Sequence, residues 1–167
     1  VLGSVIVALG NNFAATESQI AEMATEIARG AAVFGVSSAE ASALAAAMAA
    51  VGVKSEVAGT SVGRVMRMMD AAVRSGGEHL EILTKITGKT GEEIKRLFQK
   101  DSTAAFVLFI EGLKRVSDAG GSTADAMAAL GLADQRLLKT IPVLANRADL
   151  LAQALELANR ETQNATA

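Results

Sequence analysis

Apolar residues recur three or four positions apart along almost the whole chain, the spacing that places side chains on one face of an α-helix. Alanine, which has the highest helix propensity, is the commonest residue, and proline occurs only at Pro142. We therefore predict an all-α fold, a compact multi-helix bundle of seven or eight short-to-medium helices with tight junctions. Pro142 is expected in the first turn of the last helix, where a missing N–H is tolerated. The one stretch with strand-like composition is "SVIVAL" at 4–9.

The junctions between these helices carry residues that stop one helix and start the next. A glycine commonly ends a helix in the left-handed conformation, and Ser or Thr followed three residues later by Glu forms a capping box at a helix start. Both signals occur in the same order at 35–40 and at 88–93. The predicted junction residues are Gly35, Ser37, Glu40, Gly52, Gly59, Thr60, Gly88, Thr90, Glu93 and Gly131.

The segment "ITGKTGEEIKRLF" at 86–98 contains Gly88-Lys89-Thr90, and a phosphate-binding P-loop ends in these three residue types. A P-loop also needs a glycine five positions before Gly88, and that position is Leu83. The loop must follow a β-strand, whereas the preceding "EHLEILTKIT" has helical spacing. We therefore interpret the triplet as a helix junction and predict no bound nucleotide or other cofactor.

Residues suited to catalysis or metal binding are sparse. His79 is the only histidine and the chain has no cysteine, so a metal site or a general base would lack the usual partners. Ser61 lies at the centre of "GTSVG" (59–63), but we expect no strand before it, and only one histidine could complete a triad. We predict no enzyme activity and no catalytic, cofactor-binding or metal-binding residue.

Charge is unevenly distributed around a net value of −2. Residues 1–50 carry −3, residues 51–100 carry +3 and residues 101–167 carry −2. The central excess is small and interspersed with acids, so we interpret it as a solvated helix face rather than a nucleic-acid patch. Weak contact with DNA or with an acidic partner stays open for the arginines of one helix face, which are Arg64, Arg67 and Arg74.

Two sets of apolar residues are candidates for contacts with a partner. Methionines cluster at 66–69, and Met-rich surfaces adapt to different partners. The last expected helix carries a heptad-like seam over 144–158, which could pack on a partner helix. Ordinary core packing is the alternative for both sets. The candidate interaction residues are Met66, Met69, Leu144, Leu151 and Leu155.

No stretch of the sequence reaches the roughly 20 consecutive apolar residues that span a bilayer. The strongest candidate, "TAAFVLFI" at 103–110, is bounded by Asp101 and Glu111. The chain begins without Met inside an apolar run, so we interpret residues 1–14 as an apolar lead-in from a longer chain. Residues 15–160 are expected to form one helical domain, followed by a polar tail at 161–167.

Two long segments resemble the core of phage tail tape measure proteins. The first is "AAVFGVSSAEASALAAAMAAVGVKSEVAGTSVGRVMRMM" at 31–69, and the second is "GGSTADAMAALGLADQRLLKTIPVLANRADLLAQALELANRE". The resemblance covers residues 15–160, which we therefore interpret as a tape-measure-core-like domain. The residues that carry it in the first segment are Phe34 to Ser37, Glu40, Gly52, Val53, Ala58, Gly59, Thr60 and Arg64.

The resemblance implies a structural protein in the tail of a long-tailed phage, or of a related prophage tail or gene transfer agent. Such proteins are made in the bacterial host cytoplasm, lie in the lumen or tip of the virion tail, set tail length during assembly and leave during genome ejection. The implied partners are further copies of the chain and tail-tube or tail-tip (baseplate) proteins. We expect at most weak DNA contact, membrane contact as an option during ejection, and no small-molecule substrate.

An alternative of a different class is a membrane-acting helical bundle, pore-forming or toxin-like. It is built on the apolar "AAFVLFI" segment and the Ala-rich helix.

Overall fold

The computed structural model describes the backbone of residues 2–166 and the side chains of residues 2–164. Within that range every regular element is helical, which confirms the all-α prediction. One short 3-10 helix, η1, follows the second α-helix. The elements are α1 (Leu2–Asn12), α2 (Glu17–Ala31), η1 (Ala32–Phe34), α3 (Ser38–Ala50), α4 (Ser55–Ser75), α5 (Glu78–Thr87), α6 (Gly91–Lys100), α7 (Ser102–Asp118), α8 (Thr123–Ala129), α9 (Gln135–Asn146) and α10 (Ala148–Thr166).

The described residues form ten α-helices, whereas the sequence predicted seven or eight. Two helices escaped because their apolar stripes are short. In α1 only Val5 and Leu9 are buried, and in α8 only Met127 is buried. The "SVIVAL" stretch is therefore helical, since Val5 and Leu9 are one helical turn apart and face the core together.

The predicted last helix is in fact two helices, α9 and α10, separated at Arg147. Pro142 lies inside α9, near its C-terminal end, and the expectation that it starts a helix is wrong. Proline has no N–H, so the carbonyl of Leu138 does not receive its usual helical hydrogen bond. Apolar residues continue at helical spacing through this junction, which is why the two helices looked like one.

Two compact units divide the chain, with boundaries at Thr60–Ser61 within α4 and at Ala148–Asp149 near the start of α10. Unit 1 comprises the residues up to Thr60 and those from Asp149 onward, and unit 2 comprises Ser61–Ala148. The limits predicted for the lead-in, the helical domain and the polar tail stay a prediction.

Unit 1 is organised around α2 and α3, which pack along each other, and α1 contacts both of them. Every residue of α3 from Ala41 to Met48 is buried. A helix can be buried on all sides only if it is apolar all round, and small alanine side chains let its neighbours approach closely. Large fully buried side chains of this unit are Leu9, Ile20, Ile27, Leu44 and Met48.

Unit 2 is organised around α7, which contacts α5, α6, α8 and α9. The "TAAFVLFI" stretch forms part of α7 and contributes the largest buried side chains, Phe106 and Phe109, together with Ile110. The apolar character of this stretch therefore comes from its position as the central helix of a protein core. No helix in the described part of the chain is both long enough and apolar enough to cross a membrane.

Two helix ends have nearly the same sequence and the same geometry, one in each unit. "MAAVGV" (48–53) ends α3, and "MAALGL" (127–132) ends α8. The Val53 N–H donates to the Met48 carbonyl at 3.0 Å, and the Leu132 N–H donates to the Met127 carbonyl at 2.8 Å. These bonds, with left-handed Gly52 and Gly131, form the Schellman motif and use helix-end carbonyls that otherwise lack a donor.

The junction expected at Gly59 and Thr60 is absent, because both residues lie inside α4. The Thr60 hydroxyl donates to the Glu56 carbonyl one turn earlier, at 3.1 Å, and starts no helix. Gly59 has helical backbone geometry and lies against the backbone of α2 at Glu26. The Ala-Gly-Thr sequence thus marks a close approach of two helices, which local sequence signals cannot distinguish from a turn.

Candidate interaction surface

Most of the residues predicted to contact a partner belong to the protein core. Met66, Met69, Leu144 and Leu151 are completely buried, and Leu155 is half-buried. The Met-rich cluster and the heptad-like seam are the inward stripes of α4, α9 and α10. Contact with a partner through the four buried side chains would require this fold to open, so that prediction is corrected.

The Gly88-Lys89-Thr90 triplet joins α5 to α6, and its backbone N–H groups are all used within the junction. The Gly88 N–H donates to the Thr84 carbonyl at 2.9 Å, and the Lys89 N–H donates to the Thr87 hydroxyl at 3.3 Å. The Thr90 N–H donates to a Glu93 carboxylate oxygen at 3.0 Å. A P-loop presents such amides to phosphate, and here none of the three is available.

The first turn of α6 is closed by a capping box between Thr90 and Glu93. The Glu93 N–H donates to the Thr90 hydroxyl at 3.1 Å, in return for the Thr90 N–H bond to the Glu93 carboxylate. That backbone bond lowers the pKa of Glu93, and the Thr90 hydroxyl, Lys89 and Arg96 lower the pKa further. Ser37 and Glu40 form the same box at the start of α3, after left-handed Gly35.

Cationic side chains line a shallow groove on α6. Lys89, Arg96 and Lys100 recur at spacings of seven and four and border a groove of about 420 Å³, together with Glu93 and half-buried Leu97. We refer to these three cations as the α6 basic stripe. All three are exposed, and none forms an ion pair with a carboxylate in the described part of the chain.

The largest cavity found in unit 1 has a volume of about 570 Å³ and lies between α2 and the junction of α3 with α4. Its charged residues are Glu22, Lys54 and Glu56, which give it a net charge of −1, and Met23 and Val53 are its large apolar residues. We refer to it as the acidic cavity. Its remaining lining residues are Gln19, Ala49, Gly52 and Ser55.

A second concave surface of unit 1 is mainly apolar. It has a volume of about 290 Å³ and is lined by α1, α2 and α3, with Leu2 and Ile6 at one side and small residues such as Ala24 and Ala28 at the other. Leu2 is 42% exposed.

The arginine face of α4 is largely engaged within the protein. Arg74 forms an ion pair with Asp70 at 2.8 Å, and the Arg64 guanidinium approaches the Gly131 carbonyl at 3.5 Å. Arg67 is exposed. These residues therefore do not form a continuous basic surface of the kind that follows a nucleic-acid backbone.

The residues considered for catalysis are dispersed. His79 is exposed on α5, whereas Ser61 is buried inside α4, where a nucleophile elbow would need a strand-to-helix turn. Among the described residues no group of three or more His, Cys, Asp or Glu side chains could hold a metal ion.

Sequence reasoning missed the contact between α7 and the end of α5. Gly112 on α7 lies against the Ile86 carbonyl, and one turn later the Arg115 guanidinium donates to the Thr87 carbonyl at 3.3 Å. Arg115 thus satisfies a helix-end carbonyl that lacks a donor within α5. A signal was present, since a glycine within an apolar helical run usually has a packing reason.

Comparison with known families identifies this arrangement. Residues 2–155 match the family described as "Phage-related minor tail protein". No curated protein matches the chain, and no solved structure does.

Proposed function

Because this chain belongs to the phage-related minor tail protein family, we propose that it is a segment of a tail tape measure protein. It acts in tail-length determination, tail assembly and genome ejection, through contacts between helices and other tail proteins. The observation that carries the proposal is the family match over residues 2–155. The finer tape measure assignment is supported by the Phe-Gly-Val-Ser and Ala-Gly-Thr motifs at 34–37 and 58–60.

The proposed mechanism is assembly, with no chemical step. The junctions are closed by capping boxes and Schellman motifs, so the helices end at defined residues and present defined surfaces. The proposed partners are further copies of the chain and tail-tube or tail-tip proteins, in the lumen or tip of the virion tail. We propose no enzyme activity, and the membrane-acting alternative stays a prediction of the sequence alone.

The proposal is tested by deleting the coding region for residues 2–155, in frame, from the phage or prophage that carries it. Electron microscopy should then show tails that are absent or of altered length, because an assembly component is missing. A Lys89→Ala substitution is the matched control and should leave tail length unchanged, since that side chain is exposed and takes no part in the cap. Normal numbers of infectious particles with normal tails after the deletion would contradict the proposal.

A further inference from the structure

The two compact units carry opposite net charges. Unit 1 has eight acidic and three basic residues, which gives −5, whereas unit 2 has ten acidic and 13 basic residues, which gives +3 with histidine neutral. The linear sequence hides this separation, because α10 returns to unit 1 and brings Asp149, Glu156 and Glu161 to the acidic side. A chain with one acidic and one basic unit carries both halves of an electrostatically complementary contact.

We propose that the α6 basic stripe of one copy docks against the acidic cavity of a second copy, so that chains associate head to tail. The proposal rests on the proposed tail-assembly function and names a partner for it. The stripe offers three exposed cations without ion pairs in the described part of the chain, beside half-buried Leu97. The cavity offers Glu22 and Glu56 beside Met23 and Val53.

The local chemistry of the two surfaces is matched in kind. Glu22 and Glu56 form no ion pair within the described residues, so their charges are available to an incoming cation. Leu97 and the apolar cavity residues add surface that association would remove from water. A contact between two different patches does not close into a symmetric dimer by itself, so association continues from copy to copy.

A second copy fits the stripe better than nucleic acid does. Acidic Glu92 and Glu93 lie on the same helix as the three cations. Phe98, the aromatic residue of α6, is buried, so the stripe presents no ring for stacking on bases. The acidic counterpart is present on every copy of the chain, in unit 1.

Sedimentation velocity of the 167-residue chain over a concentration series tests the proposal. The comparison is made at ionic strengths of about 0.01 M and about 1 M, where the Debye length is about 30 Å and about 3 Å. At low salt the average mass should rise with concentration above 17.1 kDa and pass the dimer, and at high salt it should fall toward 17.1 kDa. A single 17.1 kDa species at both ionic strengths, or association that is equally strong at both, would overturn the proposal.

Charge reversal assigns the surfaces. Lys89→Glu with Arg96→Glu and Lys100→Glu should weaken self-association roughly tenfold or more, and Glu22→Lys with Glu56→Lys should do the same. Mixing the two variants should restore association, because each reversed surface then meets an opposite charge. A control with Arg67→Glu, Arg136→Glu and Lys139→Glu carries the same charge change at sites outside the stripe. Circular dichroism confirms that each variant is folded.

The outcomes are separable. Equal loss of association in the stripe variant and in the control would overturn the assignment to α6, as would failure of the mixture to associate. DNA duplex binding that is lost in the stripe variant, without self-association of the wild type, would overturn the proposal in favour of nucleic acid. If the chain is monomeric at low salt and its deletion still alters tails, this inference fails and the proposed function stands.

Discussion

Gly59 on α4 lies so close to Glu26 on α2 that a β-carbon at position 59 would be 2.6 Å from the Glu26 carbonyl oxygen. Real β-carbons essentially never approach another heavy atom that closely, and the obstacle is backbone, which cannot rotate away. Both residues belong to unit 1, where the glycine allows the two helices to cross at this short separation.

Gly59→Ala should therefore destabilise the protein, although alanine has the higher helix propensity. A methyl group forced against the α2 backbone costs about 1–3 kcal/mol when it overpacks a core, which exceeds the gain in propensity. Chemical denaturation of wild type and variant measures the difference in the free energy of unfolding.

Gly3→Ala is the matched control for this substitution. Gly3 is an exposed residue of α1, and no neighbouring heavy atom lies within 4 Å of the place that an alanine β-carbon would occupy. Its replacement should therefore be neutral or stabilise the protein by up to about 1 kcal/mol. If Gly59→Ala is as well tolerated as Gly3→Ala, then the helices are not in contact at Glu26.

Thr90→Ala should destabilise the protein by about 0.5–2 kcal/mol, because it removes the side chain that caps α6. Lys89→Ala should change the free energy of unfolding little, since the Lys89 side chain is exposed. Thermal or chemical unfolding of the two variants gives the comparison. ATP binding that is abolished by Lys89→Ala would refute the interpretation of the triplet as a junction.

The capping box makes part of the stability dependent on pH. The pKa of Glu93 is lowered in the fold, chiefly by the hydrogen bond from the Thr90 N–H. A carboxyl group with a lowered folded-state pKa stabilises the fold above its ordinary value of 4.5, and this contribution is lost as pH falls through the folded-state pKa. Wild type should therefore lose stability between these values by more than Glu93→Gln does.

Glu93→Gln is suited to this comparison because glutamine also occupies the third position of a capping box but does not titrate. Unfolding curves collected across the acid range, with the Glu93 carboxyl followed by NMR, give both quantities. Parallel pH profiles for wild type and Glu93→Gln, or an NMR pKa at or above 4.5, would contradict the assignment.

Leu151→Ala should cost about 2–5 kcal/mol of unfolding free energy, because Leu151 is completely buried on α10. Leu155→Ala on the same helix should cost less, since that side chain is only half-buried. The pair thus separates a core role from a surface role for the heptad-like seam. Equal and small losses for both would restore the idea that Leu151 lies on a partner surface.

Local features of this fold were readable from sequence, whereas features that depend on distant residues were not. The capping boxes at Ser37 and Thr90 involve residues only three positions apart, so the pattern at 35–40 and 88–93 was sufficient to place them. The role of Gly59 depends on Glu26, which lies on another helix, and the Ala-Gly-Thr sequence could not reveal it.

The interaction surface was the least predictable feature. Met66 and Leu144 have the residue types of both a core and a partner site, and only the three-dimensional packing shows that they are buried. The charge separation was also hidden, because it depends on the return of α10 to unit 1. The lysines and arginine of the α6 basic stripe were visible in the sequence as part of a small central excess, but their lack of ion pairs within the described chain was not.

The account depends above all on this chain being a component of the tail that departs when the genome is ejected. Quantitative mass spectrometry of purified particles, before and after ejection is triggered, measures this directly. We predict that peptides from residues 2–155 are present in filled particles, in fixed ratio to the tail-tube protein, and are depleted after ejection. Their absence from filled particles, or an unchanged ratio after ejection, would contradict the account.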